Sequence, residues 1–501
     1  MEMDAQQLRF LLGAKLKRLR SEKGLSLTEL AAMSRLSVSY LSEIEKGKKY
    51  PAPEKIIILA HAMGVPFNDL VSVADPGNLD PLTTILQSSF IKEFPFELFG
   101  IKPHELVNLV TNNPQQAGAF IRTLLEIGES YDMSVEQFLF ATLRSYQKMH
   151  NNHFEDLEIA ADEFARSKKW KMQPPRRMEE LKDVLVKEFG YEIEEIPLEE
   201  FPELTKFRSI CSPGKQRKLF LNGRLLPSQK AFLLAREIGF CHLDLQKHPT
   251  TSTWLEVESF DEVLNNFRAS YFGGALFIHR DTLVYDLERF FNRPRWSGDA
   301  FLDMMQRYEA TPEMFLYRLS QLIPKYFGLQ EMFYLRFNNE AGSKEFTLTK
   351  ELNMSRVVVP HGMGLDEHYC RRWPSIQLLQ EMADSPKSRR RSGASVEAQR
   401  SLFVDTGAEF FVIAIARPLA LTENTNSSIS LGFLVNDTFK GKVKFCNDGS
   451  VARVEVNETC ERCSLPRAQC KERVSPPAIY QKHEMHKKTV ESLERFLRIV
   501  D

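Results

Sequence analysis

Residues 25–47, LSLTELAAMSRLSVSYLSEIEKG, constrain this chain more than any other stretch. Leu27, Leu30 and Ala31 form the inner stripe of one short helix, and Val38, Leu41 and Ile44 that of a second, at amphipathic spacing. Ser37 stands where an N-cap belongs, its side-chain oxygen available to the free amides of the first turn. Ser39, Tyr40, Ser42 and Glu43 then face outward, with Lys46, Lys48 and Lys49 at the far end. Small hydrogen-bonding groups on an open helix face suit base edges in the major groove, and nearby cations suit phosphates. The bland alternative is an ordinary helical hairpin with a solvated face.

The flanks favour the first reading. Lys15 to Arg20 precede the helix pair, and Pro53 to Leu70 follow it. Residues 9–71 resemble the helix-turn-helix domain of the lambda-repressor/Cro class, also called the xenobiotic-response-element class. The resemblance rests on Leu19-Arg20, Gly24, Leu27, Glu29-Leu30-Ala31, Leu36-Ser37, Tyr40-Leu41-Ser42, Ile44-Glu45, Gly47, Pro53, Leu59-Ala60 and Val65-Pro66. It implies DNA contacts from Thr28, Ser37, Ser39, Tyr40, Ser42, Lys46 and Lys48. Two positions depart from the pattern. Thr28 stands where many relatives place glutamine. Arg35 occupies the turn where the family often has glycine, so the turn either avoids a positive φ or strains a side-chain-bearing residue.

At 501 residues the chain is long enough for roughly three or four units. Hydrophobic content of 43% supplies conventional cores, and a net charge of −1 argues against a nucleic-acid coat. Residues 1–73 carry 11 Lys/Arg against 8 Asp/Glu, so the basic character is local, as for a small DNA-reading head on a neutral body. No stretch reaches the ~18 apolar residues of a membrane span, so a cytoplasmic protein with no membrane partner is expected. In that reducing compartment the seven cysteines are expected to be buried fillers or ligands rather than disulfides.

The expected architecture is multidomain α+β. An all-α helix-turn-helix head covers 1–73 and an α-helical connector, a place for subunits to meet, covers 74–170. A degenerate zincin-like α+β domain covers 171–330, and a C-terminal mixed domain with an antiparallel sheet covers 331–501. The breaks are VADPGNLDP after Ser72 and KKWKMQPP at Lys168–Pro175. Helices are expected over Gln115–Glu126, Ser134–Met149, Phe154–Arg166, Gln229–His242 and Phe260–Leu276. Strands are expected around Tyr191–Ile193, Lys218–Asn222, Phe410–Ala416, Ile429–Leu434, Lys442–Phe445 and Val451–Val456. Ser385–Ser395 reads as a solvated basic loop rather than a second nucleic-acid patch.

The run from Lys230 to Phe240 resembles the active helix of zinc peptidases often fused to this kind of head. In that family the helix reads His-Glu-x-x-His, so two imidazoles share a face and bind zinc while the glutamate activates water. Here the ligand positions hold Arg236 and Phe240, and neither offers a lone pair. Ala269–Phe277 resembles the family's second helix, with Phe267-Arg268 where the acidic third ligand is expected. Only Glu237 remains. The expectation is therefore no peptidase and no catalytic residue, but a retained cleft that holds an effector, with Arg236, Tyr271 and Phe272 as its candidate residues. Cys241 lies one turn from Glu237, whereas His242 points elsewhere.

Cys460, Cys463 and Cys470 form a C-x2-C-x6-C arrangement, with Cys370 the candidate fourth ligand. Such spacing suits an iron–sulfur cluster or zinc. Cys211, Cys241 and Cys446 lie in apolar contexts and read as fillers. Taken together, the head, the degenerate domain and the cysteine region, with Cys370-x-x-Trp373 and Pro476-Pro477, resemble the short-chain fatty acyl transcriptional regulators. That resemblance implies control of propionate, acetate or glyoxylate genes, an acyl-coenzyme A effector and a cysteine-held iron–sulfur cluster. The expected partners are operator DNA, further copies of the chain in a homodimer or higher homo-oligomer, and the small-molecule effector. Two alternatives stay open: a regulatory metallopeptidase, and a regulator in which the cluster itself senses redox state.

Overall fold

The computed structural model describes residues 5–71, 94–101, 123, 126–127, 134–171, 173–212, 217–251, 257, 259–361, 367–384 and 394–500. It contains two compact units, one of Met1–Tyr146 with Glu256–Val263, the other of Gln147–Leu255 with Leu264–Asp501. Within the described residues no helix is long and apolar enough to cross a membrane.

The first unit opens with five helices: α1 (Ala5–Glu22), α2 (Leu27–Ser34), α3 (Val38–Glu45), α4 (Pro53–Met63) and α5 (Phe67–Val71). Their core joins Leu12, Leu16, Leu30, Leu41, Ile44, Ile56, Leu59, Met63 and Leu70. Helix α2 starts with a full capping box: Glu29 N–H donates to Ser26 Oγ (3.2 Å), and Ser26 N–H donates to the Glu29 carboxylate (2.7 Å). Gly13 fixes how closely α1 crosses α3, because a Cβ there would meet the Ile44 carbonyl oxygen at 2.2 Å. The Arg20 guanidinium grips the buried Glu45 carboxylate at 2.7 and 2.9 Å and the Leu25 carbonyl at 2.7 Å. That clamp ties α1 to the end of α3 and to the turn before α2.

Two expectations about this head need comment. Arg35 does adopt the left-handed conformation, with φ 57°, so the turn carries the strain of a non-glycine residue. Val38, expected on the inner stripe, is 41% exposed, because the inner face of α3 begins at Leu41.

The second unit contains α7 (Glu155–Ser167), α8 (Met178–Lys187), α9 (Pro227–His242), α10 (Phe260–Phe277, whose first turn belongs to the other unit), α11 (Arg280–Phe291), α12 (Gly298–Arg307) and α13 (Pro312–Phe327). Before them, α6 spans Val135–Met149. A small sheet joins β1 (Glu192–Glu195), β3 (Lys218–Leu221) and β2 (Ser209–Ser212), in that order. A six-stranded sheet has the order β5-β4-β8-β7-β6-β9, with β4 (Met332–Glu340), β5 (Thr347–Asn353), β6 (Ser395–Phe403), β7 (Glu409–Pro418), β8 (Thr425–Leu434) and β9 (Ala452–Val456). All its pairings are antiparallel except β6 with β9.

The boundaries expected near 170 and 330 fall inside this unit. One apolar core runs from Ala161 through Leu234, Phe315 and Ile413 to Val451. At the first of these points Trp170 packs edge-on against Phe164 (5.8 Å) and lies under Arg176 (4.7 Å), making a packed turn rather than a linker. The connector helix α7 belongs to the same body through its buried Glu158, which pairs with Arg318 on α13 at 2.6 Å. Lys442–Phe445, expected as a strand, is the end of a short helix (Asp437–Lys442) and a 3-10 turn (Lys444–Asn447). The Asn436 side chain caps that helix by accepting from Phe439 N–H at 2.9 Å. The expected helix at Gln115–Glu126 lies outside the described residues but for Thr123 and Glu126, as does most of the 385–395 loop.

Candidate functional sites: a DNA-reading face, a cationic cavity and a thiol cluster

Helix α3 begins at Ser37, whose Oγ accepts from Tyr40 N–H at 3.2 Å and lies 3.2 Å from Ser39 Oγ. The Ser37 hydroxyl is thus spent on capping. Thr28, Ser39, Lys46 and Lys48 are exposed, and Ser42 is half-buried. Tyr40 packs partly on the core, and its ring carries Lys55 at 4.3 Å and Lys49 at 5.7 Å. Lys49 also bonds Glu43 at 2.7 Å, which holds that exposed carboxyl below its usual range. The face therefore combines hydroxyls, an aromatic platform and a rim of cations. Among the described residues Lys46 and Lys48 form no ion pair, and both act on the Glu43 carboxyl through their charge.

In the second unit, α9 and α10 touch closely: a Cβ at Gly273 would meet the Arg236 backbone nitrogen at 2.9 Å. That contact directs the Arg236 side chain into a cavity of about 260 Å³ that is also lined by Arg208, Arg336, Lys350, Glu313 and Tyr317. Arg236 is buried, and its Nε has no hydrogen-bond partner among the described residues. Glu313, the acidic residue of the lining, already holds Arg417 at 2.9–3.1 Å and lies 3.7 Å from Arg336. Lys350 Nζ sits 3.5 Å over the Tyr317 ring. Crowding by protein, then the Arg336 and Arg208 charges, push Lys350 down to about 7. Arg208 and Lys350 still reach solvent through the mouth.

Of the three expected effector residues, the cavity takes only Arg236. Tyr271 points into the interior, donating to Glu158 at 2.7 Å and accepting from Phe154 N–H at 3.2 Å. Phe272 is core, edge-on to Phe164 at 5.9 Å and near the His242 ring at 5.4 Å. Sequence reasoning missed Arg208, Arg336 and Lys350, which come from separate elements and read singly as surface charges.

Cys370, Cys460, Cys463 and Cys470 are all buried. Cys460 N–H donates to the His368 carbonyl (2.8 Å) and Cys370 N–H to that of Glu458 (3.1 Å), so the two segments run side by side. Burial first of all raises the Cys370 thiol, with Cys460 and Cys463 close by, and burial likewise raises Cys470, which lies near Cys463, Arg372 and Arg473. Arg473 anchors the loop by donating to the Cys463 and Leu465 carbonyls at 3.1 and 2.6 Å. Two of the nearby guanidinium nitrogens, Arg372 Nη1 and Arg473 Nε, are buried without a hydrogen-bond partner among the described residues. Cys446 is a core filler as expected, but Cys211 and Cys241 line a second cavity beside α9.

The model for helix-turn-helix domains matches residues 16–70. The chain is 41% identical over 68 residues to the uncharacterized HTH-type transcriptional regulator y4dJ of Sinorhizobium fredii, a span of 14% of this chain and 88% of that protein. It is 39% identical over 57 residues to the HTH-type transcriptional regulator DdrOP3 of Deinococcus deserti, covering 11% of this chain and 44% of that one. A solved Mycobacterium tuberculosis transcriptional regulator aligns with 68% of this chain and 93% of its own, at 16% identity and a TM-score of 0.46. With the matched residues forming a capped, cation-rimmed helix pair, the chain belongs to the helix-turn-helix transcriptional regulators.

Proposed function

We propose that this regulator binds operator DNA as a homodimer and responds to a short-chain acyl-coenzyme A held in the larger unit. The observation that carries the effector reading is the charge of the cavity: Arg208, Arg236, Arg336 and Lys350 converge, and the one acidic lining residue is already engaged by Arg417. Arg236 is buried beside the other three cations, and the phosphates of a coenzyme A ester would neutralise the cluster. Met314, Phe232 and Phe277 in the same lining offer apolar contact to the rest of the ligand. Two heads a helical turn apart would multiply the few base pairs that one α3 reads. The terminal helix Ala478–Val500 supports self-association, since Val490, Leu493 and Leu497 are each at least 40% exposed at heptad-like spacing.

The C-x2-C-x6-C spacing, the burial of all four thiols and the pairing of the Cys370 and Cys460 segments support an iron–sulfur cluster, with zinc the alternative. Orphaned Arg372 Nη1 and Arg473 Nε beside them suit an anionic thiolate-ligated centre. Cys370, Cys460, Cys463 and Cys470 would hold it, and it would supply an oxidisable group. Meanwhile Glu461 already orders the surrounding loop, accepting from His368 N–H at 2.9 Å.

Three outcomes are expected. Ser39→Ala or Ser42→Ala relaxes base preference at one or two operator positions, at about 1–3 kcal/mol each. Lys48→Ala instead weakens all DNA alike and lowers the salt slope, measured by binding titrations at several salt concentrations. Altered base preference with an unchanged slope in Lys48→Ala would contradict the assignment.

For the cavity, calorimetry with propionyl-coenzyme A should show Arg236→Met at least tenfold weaker, as loss of a contact of about 1.5–3 kcal/mol requires. Protonated Lys350 attracts the anion and its neutral form does not, so affinity falls as pH rises through about 7. The Lys350→Gln protein should lose that pH dependence. Equal affinity in parent and Arg236→Met would overturn the pocket.

For the thiols, anaerobically purified protein should be brown, and Cys463→Ser should bleach it, because a hydroxyl is a poor ligand for soft iron. A colourless parent containing neither iron nor zinc refutes the cluster.

A further inference from the structure

We propose a divalent transition-metal site of the zinc class formed by Cys211, Glu237 and His248, separate from the four C-terminal cysteines. Their donor atoms, one thiol sulfur, one carboxylate oxygen and one imidazole nitrogen, all lie within 4.8 Å of one another. Zinc holds such ligands at about 2.0–2.3 Å in a tetrahedron, which places donors roughly 3.3–3.8 Å apart. Small side-chain rotations therefore close the site.

The fold brings the three together from distant positions. Cys211 sits on β2, and the segment after α9 is zipped to that strand's free edge. Cys211 N–H donates to the Thr250 carbonyl at 2.7 Å, and Ile210 pairs with Thr251. This pairing returns the chain so that His248 reaches Glu237 on α9. The Glu237 side chain is 1% exposed, and its Oε2 lies 2.6 Å from His248 Nε2. The Phe240 ring, 4.2 Å from the imidazole, braces it.

His248 is held from both ring nitrogens. Its Nδ1 lies 2.9 Å from the Pro249 carbonyl oxygen and its Nε2 lies 2.6 Å from Glu237 Oε2. A backbone carbonyl on the far nitrogen is the usual way to orient a metal-ligating histidine.

Three protein ligands leave one coordination position. It faces a cavity of about 220 Å³, lined by Tyr191, Cys241 and Arg217 besides the proposed ligands Cys211 and His248. Arg217 Nη1 lies 3.2 Å from Cys241 Sγ, and the Tyr191 hydroxyl lies 3.6 Å from the same sulfur. The open position is therefore polar and suits water or a small exchangeable ligand. Glu237, the one residue retained from the peptidase-like pattern, serves here as a ligand, while Arg236 and Phe240 take no part in binding the ion.

Cobalt(II) titration of the full chain, purified without added metal, tests the site, because a thiolate–cobalt charge-transfer band reports a bound sulfur directly. The parent should bind one more cobalt per chain than either Cys211→Ser or His248→Gln, and added zinc should displace that cobalt. His248 lies at the rim with 23% side-chain exposure, so His248→Gln should stay folded by circular dichroism and still bind at least tenfold more weakly. Cobalt stoichiometry and affinity unchanged in folded His248→Gln and Cys211→Ser proteins would overturn the proposal. So would a parent that binds no cobalt at this site under any of these conditions.

Discussion

The larger unit depends on one buried ion pair. Glu158 and Arg318 each expose about 1% of their side chains and meet through two hydrogen bonds, at 2.6 and 2.8 Å. Burial raises the Glu158 carboxyl, and the Arg318 charge with the Tyr271 hydroxyl more than reverses it, so the group stays below its usual range. Arg318 Nε also donates to the Ile278 carbonyl at 3.0 Å, and Tyr271 completes the knot from α10. Three helices are thereby fixed to one charge centre. Removing one partner of such a pair costs about 3–5 kcal/mol, because the other is left charged and buried.

Around that centre, α9 presents different chemistry on two sides. Arg236 and Phe240, which sit where the resembled peptidase pattern has histidines, lie against each other, the guanidinium 5.3 Å from the ring; Arg236 also lines the cationic cavity, and Phe240 packs on His248 beside the second cavity. Helix α9 thus borders a cation-lined cavity on one side and a thiol, carboxylate and imidazole set on the other. The first cavity holds a group that no described residue satisfies, the Arg236 Nε, and the second gathers a thiol, a carboxylate and an imidazole within 4.8 Å of one another. A buried polar group such as that Nε calls for a partner.

The head was legible in the sequence because its signals are local. The capping serine at 37, the apolar spacing and the turn conflict at Arg35 act within a few residues of where they are read, while the Ser26 capping box emerged only in the structure. Strand β7 was equally plain, since a run such as FFVIAIA is buried on both faces. The sites of the larger unit were not. Arg208, Arg336 and Lys350 stand on or beside three strands, and only pairing such as Arg336 opposite Lys350 gathers them. His248 reaches Glu237 because residues 250–251 join the edge of β2, a contact that no periodicity announces. Tyr271 and Phe272, chosen through likeness to a family helix, face the core because burial of aromatic surface there outweighs any demand from the cavity.

The claim that joins the two units is energetic coupling: a ligand that binds one operator-competent state better must shift DNA affinity, and DNA must shift ligand affinity by the same factor. The most direct measurement is operator affinity of the full chain at fixed salt, with and without saturating propionyl-coenzyme A. The predicted result is a change of at least fivefold, which disappears in the Arg236→Met protein. An operator affinity that does not move with ligand, in a protein shown to bind both, would contradict it.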